Sequence, residues 1–159
     1  MIFLTVGTQK FQFNRLLQAV DQLIGEGVIQ EPVVAQRGHS TYIPRNYETC
    51  MFMDNSLFEQ MIQDCDLLIT HGGVGTILKG IEFKKKIIVV PRKKSFSEHV
   101  DDHQQEIAKE FGKLGSVCAC QQIVDLEKCY KNIQKMPCVD VQLHFSNTAR
   151  FVNGYLNDL

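Results

Sequence analysis

An apolar run, Leu67, Leu68 and Ile69, stops at Thr70 and His71, turns through Gly72, Gly73 and Gly75, and continues into an apolar periodic segment that reaches about Phe83. That order predicts a strand, a tight turn and a helix. Glycines let a backbone approach a ligand closely. The first turn of a helix adds unpaired N–H groups at the positive end of its dipole. An anion, typically a phosphate, suits such a place. The same glycines also suit a sharp strand-to-helix corner that holds nothing, so the rest of the chain has to decide.

Residues 2–6 form a short apolar run that ends at Gly7 and Thr8. After a polar stretch, Phe13, Leu16, Leu17, Val20, Leu23 and Ile24 recur at helical spacing until Gly25 and Gly27 stop the pattern. Residues 32–36 and 50–53 are two further predicted strands, separated by a turn-rich loop over 37–47. Asn55 is placed to cap a short helix with Leu57, Phe58, Met61 and Ile62 on its buried face. Residues 87–91 are almost wholly apolar, as in a strand buried on both faces. A helix carrying Ile107, Ala108 and Phe111 and ended by Gly112 follows, then a short strand at 116–120 and helical segments at 126–133 and about 144–156. This alternation predicts an α/β fold, a doubly wound, mainly parallel, Rossmann-like sheet in one domain over residues 1–159. Ligands of such sheets lie at the carboxyl ends of the strands. Gly7 and Thr8, Phe52 and Met53, Thr70 to Gly73, and Pro91 and Arg92 all fall there. The glycine turn therefore reads as a binding element.

Composition narrows the class. With 44% hydrophobic and 22% charged residues in 159, the chain is long enough to bury a core of its own. A formal net charge of -1 points away from nucleic acid, despite the local basic group Lys84, Lys85, Lys86, Arg92, Lys93 and Lys94. The six cysteines show no paired CxxC spacing and no signal peptide precedes them, which suggests reduced thiols in a cytoplasmic protein. The longest apolar runs fall far short of the ~20 residues that cross a bilayer.

The turn is not the GxGxxG of nicotinamide enzymes, because it follows a middle strand and no acidic residue ends the next one. Nor does a Walker Lys-Ser/Thr follow. His71 abuts the turn and is a candidate phosphate donor or general base. His99, His103, Asp101 and Asp102 resemble a ligand set. They lie where a loop becomes a helix, however, and the two aspartates suit a helix start, so no metal is expected. The lysines at 84–86 suit a solvated helix end.

Taken together, His71-Gly72-Gly73-Val74-Gly75-Thr76, Ile87-Ile88-Val89-Val90-Pro91-Arg92 and Asp102-His103-Gln104-Gln105-Glu106-Ile107-Ala108 resemble the C-terminal, nucleotide-sugar-binding half of MurG-like glycosyltransferases of the GT-B type. The single-domain branch is most similar: the catalytic subunit of the dolichol-linked chitobiose synthase, and bacterial exopolysaccharide and capsule transferase subunits. Residues 2–8 and Phe13-Asn14-Arg15-Leu16-Leu17 extend the likeness over most of the chain.

The resemblance implies a donor-binding catalytic subunit that moves a hexosyl group from a UDP-sugar, with inversion, to a lipid-diphosphate-linked saccharide. The setting would be polysaccharide, capsule or glycolipid assembly at the cytoplasmic side of a membrane. A separate membrane-associated subunit would hold the acceptor, and no cofactor beyond the UDP-sugar donor is expected. By position, Gly73, Val74, Gly75 and Thr76 would cradle the diphosphate, with Gly7 and Thr8 facing it. Phe52 and Met53 would meet the uracil, His103 and Gln104 the sugar hydroxyls, and Arg92 or Lys93 would add charge. The family's ribose-binding Glu is replaced here by Lys79, which has no acceptor; Glu82, one turn on, is the expected substitute. That departure also motivates the alternative of a non-catalytic sugar-nucleotide-binding or scaffolding subunit.

Overall fold

The computed structural model describes residues 1–138 together with Arg150, Asn153 and Gly154. The predicted helical segment at 144–156 therefore lies outside the described residues but for these three, which are helical. The described chain builds one sheet of β1 (Ile2–Thr5), β2 (Val33–Gln36), β3 (Glu48–Cys50), β4 (Leu67–Thr70), β5 (Lys86–Val89) and β6 (Val117–Ala119), in spatial order β3-β2-β1-β4-β5-β6. Every pairing is parallel. β1 is central, with Leu4 level with Ala35 of β2 and Ile69 of β4. The doubly wound, Rossmann-like fold is thus the observed one.

Among residues 1–138, five α-helices cover the two faces: α1 (Asn14–Gly25), α2 (Asn55–Asp64), α3 (Val74–Glu82), α4 (His103–Phe111) and α5 (Leu126–Lys135). Alternation along the strands sorts the core into two layers. Ile2, Leu4, Leu67, Ile69 and Ile88 pack with Leu16, Leu17 and Val20 of α1 and Tyr130 and Ile133 of α5. Phe3, Leu68, Ile87 and Val89 pack with Ile62 of α2, Ile77 and Ile81 of α3, and Ile107 and Phe111 of α4. The apolar runs Ile2 to Leu4, Leu67 to Ile69 and Ile87 to Val89 of the inner strands are what a sheet sandwiched between helices requires.

Several boundaries move. β1 ends at Thr5 and β5 at Val89, short of the predicted ends, although the N–H groups of Val6 and Val90 still donate to the carbonyls of Gln36 and Thr70. The predicted strand at 50–53 is observed as Glu48–Cys50, which leaves Phe52 and Met53 in the loop beyond it. Asp54, not Asn55, caps α2: its side chain accepts from the Leu57 N–H. Leu57 accordingly faces outward, and Ile62 is the fully buried residue of that helix. The turn-rich loop at 37–47 is pinned to α1 by the buried Asp21, which accepts from the Tyr42 hydroxyl at 2.6 Å and from the Arg45 and Asn46 N–H groups at 2.9 Å each.

Candidate functional site

The strand order reverses between β1 and β4, and a sheet of this kind opens a crevice where its connections diverge. A crevice of about 310 Å³ lies there. Gly7, Thr8 and Gln9 after β1, and His71, Gly73, Gly75 and Thr76 after β4, form one side of its lining. Gln36 at the end of β2, Met53 beyond β3, and Asn55 and Phe58 on α2 complete it.

The glycine turn opens α3 onto this crevice. Gly73 is the extended cap residue (φ -77°, ψ 117°), no side chain caps the helix, and its first turn carries no acidic residue. The N–H groups of Val74, Gly75 and Thr76 make no hydrogen bond among the described residues; the first intrahelical bond is Ile77 N to Gly73 O. Unpaired donors at the positive end of a helix attract an anion. A side chain on Gly75 would meet no atom within 4 Å, so the backbone there is bare toward the open volume.

His71 is wedged between two of the glycines. A Cβ on Gly7, whose φ is +79°, would stand 2.6 Å from His71 Cε1, and one on Gly73 would collide with His71 Nε2. Nδ1 lies 3.2 Å from Thr70 Oγ1. Burial, reinforced by the Arg92 charge, holds the imidazole pKa down at about 3 against a weaker opposing hydrogen bond to the Thr5 backbone. The ring is therefore neutral at neutral pH. A general base works best with a pKa near the operating pH. The role of base expected for His71 does not fit this burial, and its geometry is that of a spacer that sets the two glycine backbones apart.

Of the residues expected in the site, Gly7, Thr8, Met53, His71, Gly73, Gly75 and Thr76 converge on the crevice. The others do not line it. Phe52 is 43% exposed and packs edge-on against His39 with ring centroids 5.1 Å apart. Val74 turns its side chain into the core layer beneath α3. Glu82 is exposed near the far end of the helix. Lys79 pairs with Glu59 of α2 at 3.1 Å. His103, at the start of α4, is 61% exposed beside Asp101 and Glu106. The side chain of Asp101 receives the His103 N–H, as expected of a helix start.

Arg92 and Gln104 are buried braces. The Arg92 guanidinium donates to the carbonyls of Val6, Phe11, Gln12 and Glu98, so its donors face the loops and not the crevice. Lys93 likewise turns to Gln122 Oε1 at 3.1 Å. The charge expected from these two side chains thus points elsewhere, because buried loop carbonyls at the strand ends need donors. Gln104 Oε1 accepts from the Gly72 and Arg92 N–H groups, both at 3.0 Å, which ties α4 to the glycine turn and to the end of β5. The amide oxygen expected to face sugar hydroxyls is occupied by that tie. Gln9, Gln36, Asn55 and Phe58 are not among the residues expected in the site, yet all line the crevice. Gln36 had a signal: it ends the predicted strand at 32–36.

Residues 1–151 match the family described as the glycosyltransferase family 28 C-terminal domain. The chain is 32% identical over 130 residues to the human UDP-N-acetylglucosamine transferase subunit ALG13, a match covering 76% of this chain and 11% of that protein. The chain thus spans about a tenth of the length of that relative. Among solved structures it resembles the NMR solution structure of ALG13 (TM-score 0.61, 20% identity, 92% of this chain and 93% of that one). It also resembles Acinetobacter baumannii MurG (TM-score 0.59, 18% identity, 84% of this chain and 41% of that one).

Proposed function

The chain belongs to the glycosyltransferase family 28 C-terminal domain family, and on that premise we propose that it is the donor-binding subunit of a glycosyltransferase that takes a UDP-sugar. N-acetylglucosamine is the favoured sugar, since that is the group named for the ALG13 relatives. The single observation that carries the proposal is the bare glycine turn. Gly73, Gly75 and Thr76 present an uncapped helix N-terminus to the crevice at the reversal of the strand order.

In the proposed reaction the diphosphate lies on the first turn of α3, where backbone N–H groups meet it without having to reorganise. An acceptor hydroxyl attacks the anomeric carbon as the bond to the diphosphate breaks, and the developing charge on UDP is taken up by those donors. The hydroxyls of Thr8 and Thr76 border the same space. No metal is required by this scheme. Among the described residues that line the crevice there is no carboxylate, and its imidazole is neutral. The base that activates the acceptor is therefore assigned to a second, membrane-associated subunit that also carries the lipid-linked saccharide. Among the described residues no helix is long and apolar enough to cross a membrane. The chain would act at the cytoplasmic face, peripherally, in glycolipid or polysaccharide assembly.

The same lack of a carboxylate or charged side chain among the described residues of the lining favours a second reading, a sugar-nucleotide-binding subunit that contributes no chemistry. Calorimetry against UDP-, GDP- and dTDP-sugars tests the first claim: selective binding of UDP-N-acetylglucosamine is expected, and no affinity for any uridine nucleotide would overturn it. Glycosyl transfer by the chain reconstituted with its acceptor-binding partner, abolished by Gly75→Val in this chain, separates catalysis from scaffolding.

A further inference from the structure

Gln36 ends β2 and is 2% exposed, yet it lines the crevice. The Met53 N–H donates to its side-chain oxygen at 2.9 Å. A peptide N–H can only donate, so the atom facing it must be the amide oxygen, and the NH2 group is turned the other way. That NH2 group makes no hydrogen bond among the described residues. The enclosed side-chain polar atom left without a partner there is Arg92 Nε, so the unpartnered NH2 of Gln36 opens onto the crevice. A buried amide whose orientation is locked by one hydrogen bond and whose two donors face a cavity is built to meet an acceptor.

We propose that Gln36 selects the nucleobase by donating to the 4-carbonyl of uracil. This assignment rests on the reading of the crevice as a UDP-sugar site. The crevice has a polar and an apolar end. The uncapped N-terminus of α3 after β4 takes the diphosphate, and Met53 and Phe58 form the apolar side where a planar base can lie. β2 stands two strands away from β4 across β1, roughly 10 Å, comparable to the reach of a nucleotide from its phosphates to its base. The base edge that arrives at Gln36 is then the one farthest from the ribose. In uracil that edge presents the 4-carbonyl, an acceptor for the Gln36 NH2. In cytosine it presents an amino group, and donor would face donor. The Met53 N–H, a natural candidate for the base contact from its sequence position, is already taken by Gln36.

The test compares UDP with CDP by calorimetry on the intact chain. The unaltered protein is expected to favour UDP by roughly ten-fold or more, because two opposed donors leave both unpaired. Gln36→Leu removes the donors and should bring the UDP-to-CDP ratio toward one, mainly by weakening UDP. Gln36→Glu, measured at pH 8, keeps an acceptor for the Met53 N–H but has no NH2, and should lower the ratio below that of the unaltered protein. A residue that only braces Met53 would change both affinities together and leave the ratio where it was; that outcome in folded variants overturns the assignment while the donor site stands. No UDP binding by the unaltered chain would instead overturn the donor site, and this assignment with it.

Discussion

Gly73 and Gly75 stand two residues apart and have opposite surroundings. A methyl group on Gly73 would press on the buried His71 ring, whereas one on Gly75 would meet open space. Gly73→Ala should therefore destabilise the fold by about 1–3 kcal/mol, the usual range for overpacking. Gly75→Val should leave the urea midpoint nearly unchanged, since valine is no worse than glycine inside a helix. Its side chain would nonetheless occupy the space required by the diphosphate, and UDP binding should be lost. A folded Gly75→Val protein with unaltered UDP affinity would remove the diphosphate assignment. His71 carries a pH signature. Its folded pKa, about 3, lies below the unfolded value near 6.5, so between those limits the unfolded chain binds the extra proton. The contribution of the neutral ring is fully present above pH 6.5 and is lost as pH falls toward 3, with a slope of up to about 1.4 kcal/mol per pH unit. Urea titrations at several pH values should show that slope, and His71→Gln should flatten it. An identical slope in the variant would place the sensitivity elsewhere.

Among the elements, α4 does more for the site than fill a layer of core. Its Gln104 carbonyl binds the Gly72 N–H and the Arg92 N–H together, so the glycine turn and the tip of β5 are held from one helix. The loop after β5 is braced separately. Glu98, buried, receives a bidentate contact from Arg15 of α1 at 2.8 and 2.9 Å, and its backbone carbonyl accepts from Arg92. Gln104→Ala would leave two buried N–H groups without an acceptor, at about 1–3 kcal/mol each. The expected result is a less stable protein that loses affinity for UDP and for the UDP-sugar by the same factor. Calorimetry with both ligands decides. Loss confined to the UDP-sugar would return Gln104 to direct contact with the sugar.

At the scale of the molecule, the crevice lies at the carboxyl ends of the strands of one sheet. In the proposed complex the described residues that line it would supply backbone donors for a diphosphate and an apolar wall for a base, but no ionised side chain toward the bond that breaks. A GT-B reaction takes place between two such halves. The purified chain should therefore bind UDP-N-acetylglucosamine without transferring the sugar, and transfer should appear only when an acceptor-binding, membrane-associated partner is added. A radiolabelled donor and a lipid-diphosphate acceptor, assayed with and without that partner, provide the measurement. Complete transfer by this chain alone would end the two-subunit proposal.

Local signals accounted for most of the architecture. Uninterrupted apolar strands, helical spacing at Leu16, Leu17 and Val20, and the glycines at 72, 73 and 75 are properties of short segments, and each produced the element predicted from it. The resemblance to GT-B transferases rested on those same contiguous motifs. Strand tips and polar side chains were less legible, because their roles depend on partners distant in the chain. Arg92 looked like a ligand for phosphate until its donors were seen engaged by carbonyls some 80 residues earlier in sequence, at Phe11 and Gln12. His71 looked like a base until burial between Gly7 and Gly73 made it neutral. Gln36 drew no notice as the last residue of a predicted strand, and only its bond to Met53 reveals which end of its amide faces the crevice. The sequence alone determined the strands, the helices and the glycine turn that opens α3, since hydrophobic period and glycine placement act over a few residues. Tertiary structure decided which polar groups remain available to a ligand, because that depends on which buried donors and acceptors have already satisfied one another across the sheet.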